Sequence, residues 1–301
     1  MKRPDLLCAG QTIGIAAPAA KADQAFVLKA CQIISSWGFK VAMAKHWNEA
    51  NSHYLSAPDP QRLDDFQQML DDPNIHAIFC ARGGYGTTRI LDSLTFDRFL
   101  QRPKWIVGFS DITAFHLKLH QVGVESIHGC MPVQFPKAEY AGSVDLLRKL
   151  IMEGANTVIE AAGHSHNREG AGAGHLIGGN LTMIADALGT PTSPDTAGKV
   201  LVLEEVGEPL YKIDRMLTQL KRAGKFTHLA GLVMGYFTDT GRENGLFDET
   251  LTQMVLNKVR DFQFPVGFGF PIGHQAPNLP WRHAAHATLT VTKEKACLRF
   301  V

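Results

Sequence analysis

Four short stretches of this 301-residue chain carry residue types able to do nucleophilic or acid–base chemistry. In Val107-Gly108-Phe109-Ser110-Asp111-Ile112-Thr113 a serine follows an apolar run and precedes a stretch expected to be helical. A hydroxyl there projects from the carboxyl end of a strand, where the unbonded N–H groups of a helix start can stabilise an oxyanion. The spacing approaches the G-x-S-x-G turn that presents serine nucleophiles, with Ile112 in place of the second glycine. A plain helix cap is the alternative, because Ser before Asp is common at such starts. In Ala81-Arg82-Gly83-Gly84-Tyr85-Gly86-Thr87-Thr88 three glycines follow another apolar run. They let the backbone turn sharply and approach a ligand, as a second oxyanion donor or a phosphate cradle, or they serve the turn alone. Neither G-x-x-x-x-G-K-[ST] nor G-x-G-x-x-G occurs, so a nucleotide site has little support.

The third stretch is Leu201-Val202-Leu203, which delivers Glu204 at the end of an apolar run, with Glu205 and Glu208 close behind. A carboxylate so placed can hold a histidine in one tautomer, although three acids this close can equally form a solvated rim. The fourth is Phe270-Pro271-Ile272-Gly273-His274-Gln275-Ala276-Pro277, a Gly- and Pro-bounded loop that suits a general base. With 13 histidines in the chain, most must have other roles. His164, His166 and His175 fall in a glycine-rich stretch without a partner at ligand spacing, and His283 and His286 lack the H-E-x-x-H pattern. No metal site is expected. Cys80 could be the nucleophile of a glutaminase-like hydrolase, but inside its apolar run it reads as a small core thiol.

These residues need elements to hold them. Thr12–Ala17, Phe39–Ala44, Ile75–Ala81 and Trp105–Gly108 are the expected strands of the first third. Gln24–Trp37, Gln61–Leu70 and a stretch from Asp111 are its expected helices. Strand and helix alternating at this spacing predict a mostly parallel sheet with helices on both faces. Residues 161–179, AAGHSHNREGAGAGHLIGG, read as a linker or loop. Beyond them, Asn180–Leu188 and Tyr211–Leu220 are expected helices, and Val200–Leu203, Leu229–Tyr236 and Ala287–Val291 expected strands. The expected division is an N-terminal domain over 1–137, a linker region over 138–174 and a C-terminal domain over 175–301. The front of the glycine-rich stretch, His164–Gly174, is expected to be exposed and open to trypsin at Arg168.

Hydrophobic residues at 45% and charged residues at 20% exclude a disordered or fibrous chain. Lys and Arg number 30 and Asp and Glu 29, a net +1 that supplies no drive towards nucleic acid or an anionic membrane. The cysteines at 8, 31, 80, 130 and 297 are odd in number and form no C-x-x-C pair. That argues against a disulfide framework or structural zinc and for reduced thiols in the cytoplasm. The start of the chain is broken by Asp5, Gly10, Gln11 and Pro18, poor for a signal-peptide core. No run approaches the roughly 20 apolar residues of a membrane helix.

Taken in chain order, the motifs resemble the LD-carboxypeptidase family, serine peptidases that trim murein tetrapeptides. They are Arg-Gly-Gly-Tyr-Gly at 82–86, Gly-Phe-Ser-Asp at 108–111, Gly178-Gly179-Asn180-Leu181, Leu-Glu-Glu-Val-Gly-Glu at 203–208 followed by Tyr-Lys-Ile-Asp-Arg-Met-Leu-Thr-Gln-Leu at 211–220, and Gly-His at 273–274. The resemblance implies an α/β protein: an N-terminal parallel-sheet domain, Rossmann-like and glutamine-amidotransferase-like, and a C-terminal mixed α/β domain of the swivelling type, with the active site between them. It implies Ser110 as nucleophile, Glu204 as orienting acid and His274 as base, with the backbone N–H groups of Gly84 (or Gly83) and Asp111 as the oxyanion hole. Arg82 and Tyr85 are candidates for substrate contact, Arg82 towards the terminal carboxylate; alternatively Arg82 anchors its turn. Ala19 and Ala20 stand where the family often has a serine, and Glu205 where Asp is usual.

The implied reaction releases D-Ala from L-Ala-D-Glu-meso-diaminopimelate-D-Ala, free or muramoyl-linked. It is a cytoplasmic step of cell-wall recycling without cofactor or metal, and a homodimer is left open. Three other readings stay open beside it. One is a self-immunity peptidase of the same family that cleaves a peptidyl- or aminoacyl-nucleotide antibiotic. The others are a Cys80-dependent amidotransferase and a cell-wall peptide-binding module with an inert pocket.

Overall fold

The apolar runs of the first half become β1 (Thr12–Ala16), β2 (Lys40–Met43), β3 (Ile75–Cys80), β4 (Trp105–Gly108) and β5 (Ser126–His128). The structure is a computed structural model and describes residues 1–49, 52–155, 158–241 and 249–301. Between these strands lie α1 (Gln24–Ser36), α2 (Asp59–Asp71), α3 (Thr88–Leu91), α4 (Asp97–Gln101) and α5 (Thr113–Gln121), and α6 (Ala141–Glu153) follows them. β1 pairs in parallel with β2 and β3, β3 with β4, and β4 with β5. Ile13, Ile15, Ile78, Phe79, Ile106 and Val107 are fully buried, as strands covered on both faces require. α1 starts where the Asp23 side chain accepts from Phe26 N–H, and it buries Val27, Ala30 and Ile34, which share one face at helical spacing. Phe66 of α2 stacks on Phe115 of α5 with ring centroids 4.3 Å apart.

The chain divides into two compact units, Met1–Ala155 with Leu279–Arg282, and Asn156–Asn278 with His283–Val301. Leu279–Arg282 therefore returns to the first unit, where a sixth strand lies beside β5. Arg282 Nη1 donates to Glu125 Oε2 at 2.9 Å, and Trp281 stacks on His128 at 5.1 Å.

The second unit begins with β6 (Val158–Ala162), β7 (Gly170–Asn180), α7 (Leu181–Asp186), β8 (Val200–Val206), α8 (Leu210–Arg222) and β9 (Gly231–Thr238). It continues with α9 (Leu251–Lys258) and β10 (Val266–Gly267). After β11 (Trp281–His283), the returning strand, come β12 (His286–Val291) and β13 (Lys295–Phe300). The strand order of this unit is β10-β9-β8-β7-β12-β13-β6. It is parallel from β7 through β10 and antiparallel from β7 through β6, a mixed sheet.

The glycine-rich stretch corrects the sequence reading, since most of it is the long strand β7. Its glycines give clearance: a Cβ at Gly172, Gly174 or Gly178 would overlap the carbonyl oxygen of Ala230, Gly198 or Val202. Arg168, expected on an exposed connection, is packed instead. Its guanidinium donates to Phe264 O at 2.8 Å and Val259 O at 2.9 Å and lies over the Phe264 ring, and its backbone exchanges hydrogen bonds with Val266. The stretch 138–174 contains α6, β6 and the start of β7, and the units meet in the chain at Ala155 and Asn156. Positions 156 and 157 of that expected linker lie outside the described residues.

Candidate active site

In the first unit, β4 ends at Gly108 and the chain turns through Ser110, whose φ is +64°. A left-handed backbone at a non-glycine residue costs on the order of 1–3 kcal/mol and persists only where its surroundings impose it. The cap positions of the 3-10 turn Ser110–Ile112 and of α5 fall on Phe109 and Ile112, so Ser110 lies inside the turn and is not the cap residue of either element. Gly108 explains how Ile112 can replace a glycine: a Cβ at 108 would stand 2.9 Å from Ile112 Cγ1, so the clearance is provided one side earlier. His116, fully buried on α5, holds the strand end. Its Nε2–H donates to Gly108 O at 2.9 Å and its Nδ1 accepts from Ser126 Oγ at 2.8 Å. Burial pushes its pKa down to about 4, so the ring stays neutral in this one tautomer.

The glycine turn lies against this serine. A Cβ at Gly83 would sit 3.0 Å from Ser110 Cβ and 3.2 Å from Ser110 Oγ, so only glycine leaves the hydroxyl uncovered. Gly84 has φ +104°, and a Cβ there would meet Ala20 Cβ at 2.6 Å. The Asp111 carboxylate is buried and accepts from Thr87 N–H at 2.8 Å, tying the residue after Ser110 to the far end of the turn. Arg62, buried on α2, donates to Ala57 O, Pro18 O and Gly86 O and pairs with Asp59, so one guanidinium staples three loops at the carboxyl ends of β1, β2 and β3. Arg82 is exposed and donates to Lys21 O at 2.9 Å, consistent with anchoring its turn. Tyr85 is 49% exposed. Cys80 is fully buried, and burial together with the Asp111 charge pushes its thiol far above its ordinary range, so it is a core thiol and no nucleophile.

In the second unit, β8 brings Glu204 to a fully buried position where its Oε2 lies 2.7 Å from His274 Nδ1. The β8–β9 register shifts at this point: Leu203 pairs with Met234 and Glu205 with Phe237, so Gly235 and Tyr236 together oppose Glu204. Two residues of β9 thus stand against one of β8, a bulge-like break in the ladder opposite Glu204. Two glycines give the pair its room. A Cβ at Gly235 would meet Ile272 O at 2.5 Å, and one at Gly273, where φ is +127°, would meet Glu204 Oε2 at 3.0 Å. Asn278 Oδ1 accepts from Gly273 N–H at 3.0 Å and closes the loop that carries His274. Burial lowers the basicity of His274, but the charge and hydrogen bond of Glu204, with the charge of Glu205, outweigh it and raise its pKa above the ordinary imidazole value. The bond fixes Nδ1–H and with it the tautomer and orientation of the ring.

Sequence reasoning passed over Arg62, His116, Asn278 and the bulge at Gly235. Asn180 was visible only as part of a motif; its side chain caps α7 by accepting from Met183 N–H at 3.2 Å. Among the described residues, no three His, Cys, Asp or Glu side chains come together to hold a metal ion, and no helix is long and apolar enough to cross a membrane.

Residues 13–129 match the model of the LD-carboxypeptidase N-terminal domain, and residues 173–289 that of the LD-carboxypeptidase C-terminal domain. The chain is 32% identical over 311 residues to a probable murein peptide carboxypeptidase of Bacillus subtilis, covering 98% of this chain and 94% of the relative. It is 33% identical over 254 residues to the murein tetrapeptide carboxypeptidase of Pseudomonas aeruginosa, covering 80% and 81% of the two chains. Among solved structures, the muramoyltetrapeptide carboxypeptidase from Oxalobacter formigenes superposes with a TM-score of 0.85 at 28% identity, covering 96% of this chain and 98% of the other.

Proposed function

Because the chain belongs to the LD-carboxypeptidase family, we propose that it is a serine carboxypeptidase that removes the terminal D-Ala from murein tetrapeptide. The observation that carries this reading is the buried Glu204 carboxylate bonded to His274 Nδ1 at 2.7 Å, in a cradle that glycines at 235 and 273 keep open. Ser110, strained and beside Gly83, is the nucleophile. Serine is a poor nucleophile until a base takes its proton. His274 Nε2 accepts that proton as Ser110 Oγ attacks the carbonyl before D-Ala, and ionised Glu204 stabilises the imidazolium formed. The tetrahedral oxyanion is received by the N–H groups of Gly84 (or Gly83) and Asp111; losing one such donor typically costs about 100- to 1,000-fold in rate. The imidazolium returns its proton to the departing D-Ala nitrogen, and water, deprotonated by the same histidine, hydrolyses the acyl-enzyme.

The five cysteines without a C-x-x-C pair support a cytoplasmic setting for the reaction, as does a recycled murein peptide as substrate. The test is to incubate the protein with tetrapeptide, with and without EDTA, and follow D-Ala by mass spectrometry. Equal release of D-Ala in both samples is expected. No release, or inactivation by EDTA that zinc reverses, overturns the reading. Preferential cleavage of an aminoacyl- or peptidyl-nucleotide would move the chain to a self-immunity role.

A further inference from the structure

β8 carries two acids in succession, and both are buried: Glu204 is 0% exposed and Glu205 is 2% exposed. Successive side chains leave a strand on opposite faces, so the two carboxylates enter different environments. Glu204 meets His274. Among the described residues, the hydrogen bonds of Glu205 all come from neutral donors: its Oε1 accepts from Asn180 Nδ2 and Val206 N–H, each at 2.9 Å, and its Oε2 from Thr182 N–H and Thr182 Oγ1, each at 2.7 Å. A buried charge without a cation is expensive, and an apolar side chain would avoid that cost.

The surroundings of Glu204 give this second carboxylate a use. On one flank, the bulge at Gly235 and Tyr236 interrupts the regular ladder opposite Glu204. On the other flank, Asn180 is the residue paired with Glu204 in the β7–β8 register. Among the described residues, Glu204 Oε1 is buried and accepts no hydrogen bond, so the bond to His274 is the only one orienting the carboxylate, and the backbone must hold its direction. We propose that Glu205 is a positioning residue for the acid–base pair, its carboxylate clamping the end of β8 to the Asn180–Thr182 turn so that Glu204 stays aimed at His274. The clamp acts on the flank that the bulge does not disturb. Glu205 also acts through charge: both Glu204 and Glu205 bear on the His274 imidazole and favour its protonated form. This inference rests on His274 being the base.

The test compares Glu205→Gln, Glu205→Asp and Thr182→Val with the parent protein. Glutamine keeps the size but turns one acceptor into a donor that faces other donors, and it removes the charge. In Glu205→Gln, kcat should fall about tenfold or more with KM nearly unchanged, as expected for a misaimed catalytic group. The acid limb of kcat/KM should move to lower pH. Glu205→Asp keeps the charge and should keep the limb in place while losing part of kcat. Thr182→Val removes one donor and should lose a smaller part of kcat in a fold that is barely disturbed. NMR titration of His274, assigned with His274→Gln, reads the same effect without turnover. A parent protein inactive on tetrapeptide would therefore sink the proposed function, while an unmoved His274 titration in Glu205→Gln would sink this inference. So would a Glu205→Gln protein that melts lower yet keeps kcat and the acid limb, since the clamp would then serve stability alone.

Discussion

Ser110 occupies a backbone conformation that a glycine would adopt without strain, and this makes its cost measurable. Ser110→Ala should abolish turnover with little change in melting temperature. Ser110→Gly should be equally inactive yet more stable by about 1 kcal/mol, because it releases the left-handed strain. A Ser110→Gly protein that melts below the parent in calorimetry would show that the turn is not strained. His274 supplies a second prediction. A general base must be neutral, so with its pKa raised, kcat/KM should climb with pH through a limb above the ordinary value of 6.5. Glu204→Gln removes the main opposition to burial, so the limb should move to lower pH while kcat falls far more than KM. A pH profile of that variant that overlays the parent's would contradict the pairing.

At the scale of elements, two glycines separate clearance from conformation. Gly172 would overlap the Ala230 carbonyl if it carried a Cβ, whereas Gly10 has open space around it but φ +89°. Gly10→Ala should cost about 1 kcal/mol, and Gly172→Ala about 3 kcal/mol or more, because a strand neighbour must move. Urea midpoints would check the order, and equal losses would return the stretch to a loop. This contrast also explains what the sequence left illegible. β1, β3, β4 and β8 were readable because buried parallel strands are short, continuous apolar runs. β7 was not, because a strand built from glycine has no side-chain periodicity, and the same letters signal a loop. Ser110, Glu204 and His274 could be singled out because each follows an apolar run or sits between Gly and Pro. Arg62, Asn278 and the bulge at Gly235 could not, because their partners lie far along the chain or are backbone atoms. Arg168 should now resist trypsin in the native protein, since its side chain and backbone are both bonded.

At the scale of the molecule, pH and stability are linked through His116. Its folded pKa of about 4 lies below its ordinary value of 6.5, so between these values the unfolded chain binds a proton that the folded chain refuses. Stability present above the upper value should be lost progressively as pH falls through this window. Melting curves of His116→Gln should show a shallower loss than the parent's, and parallel curves would assign the acid sensitivity elsewhere. The return of Leu279–Arg282 to the first unit bears on how the chain is made. Translation proceeds at roughly 5–20 residues per second, so β5 emerges on the order of ten seconds before the strand that covers its edge. During that interval Glu125 has no Arg282 to pair with and His128 no Trp281 to stack on. A ribosome stalled before Trp281 should therefore display an uncapped sheet edge to holding chaperones, and only the emergence of Leu279–Arg282 would release the first unit from their care.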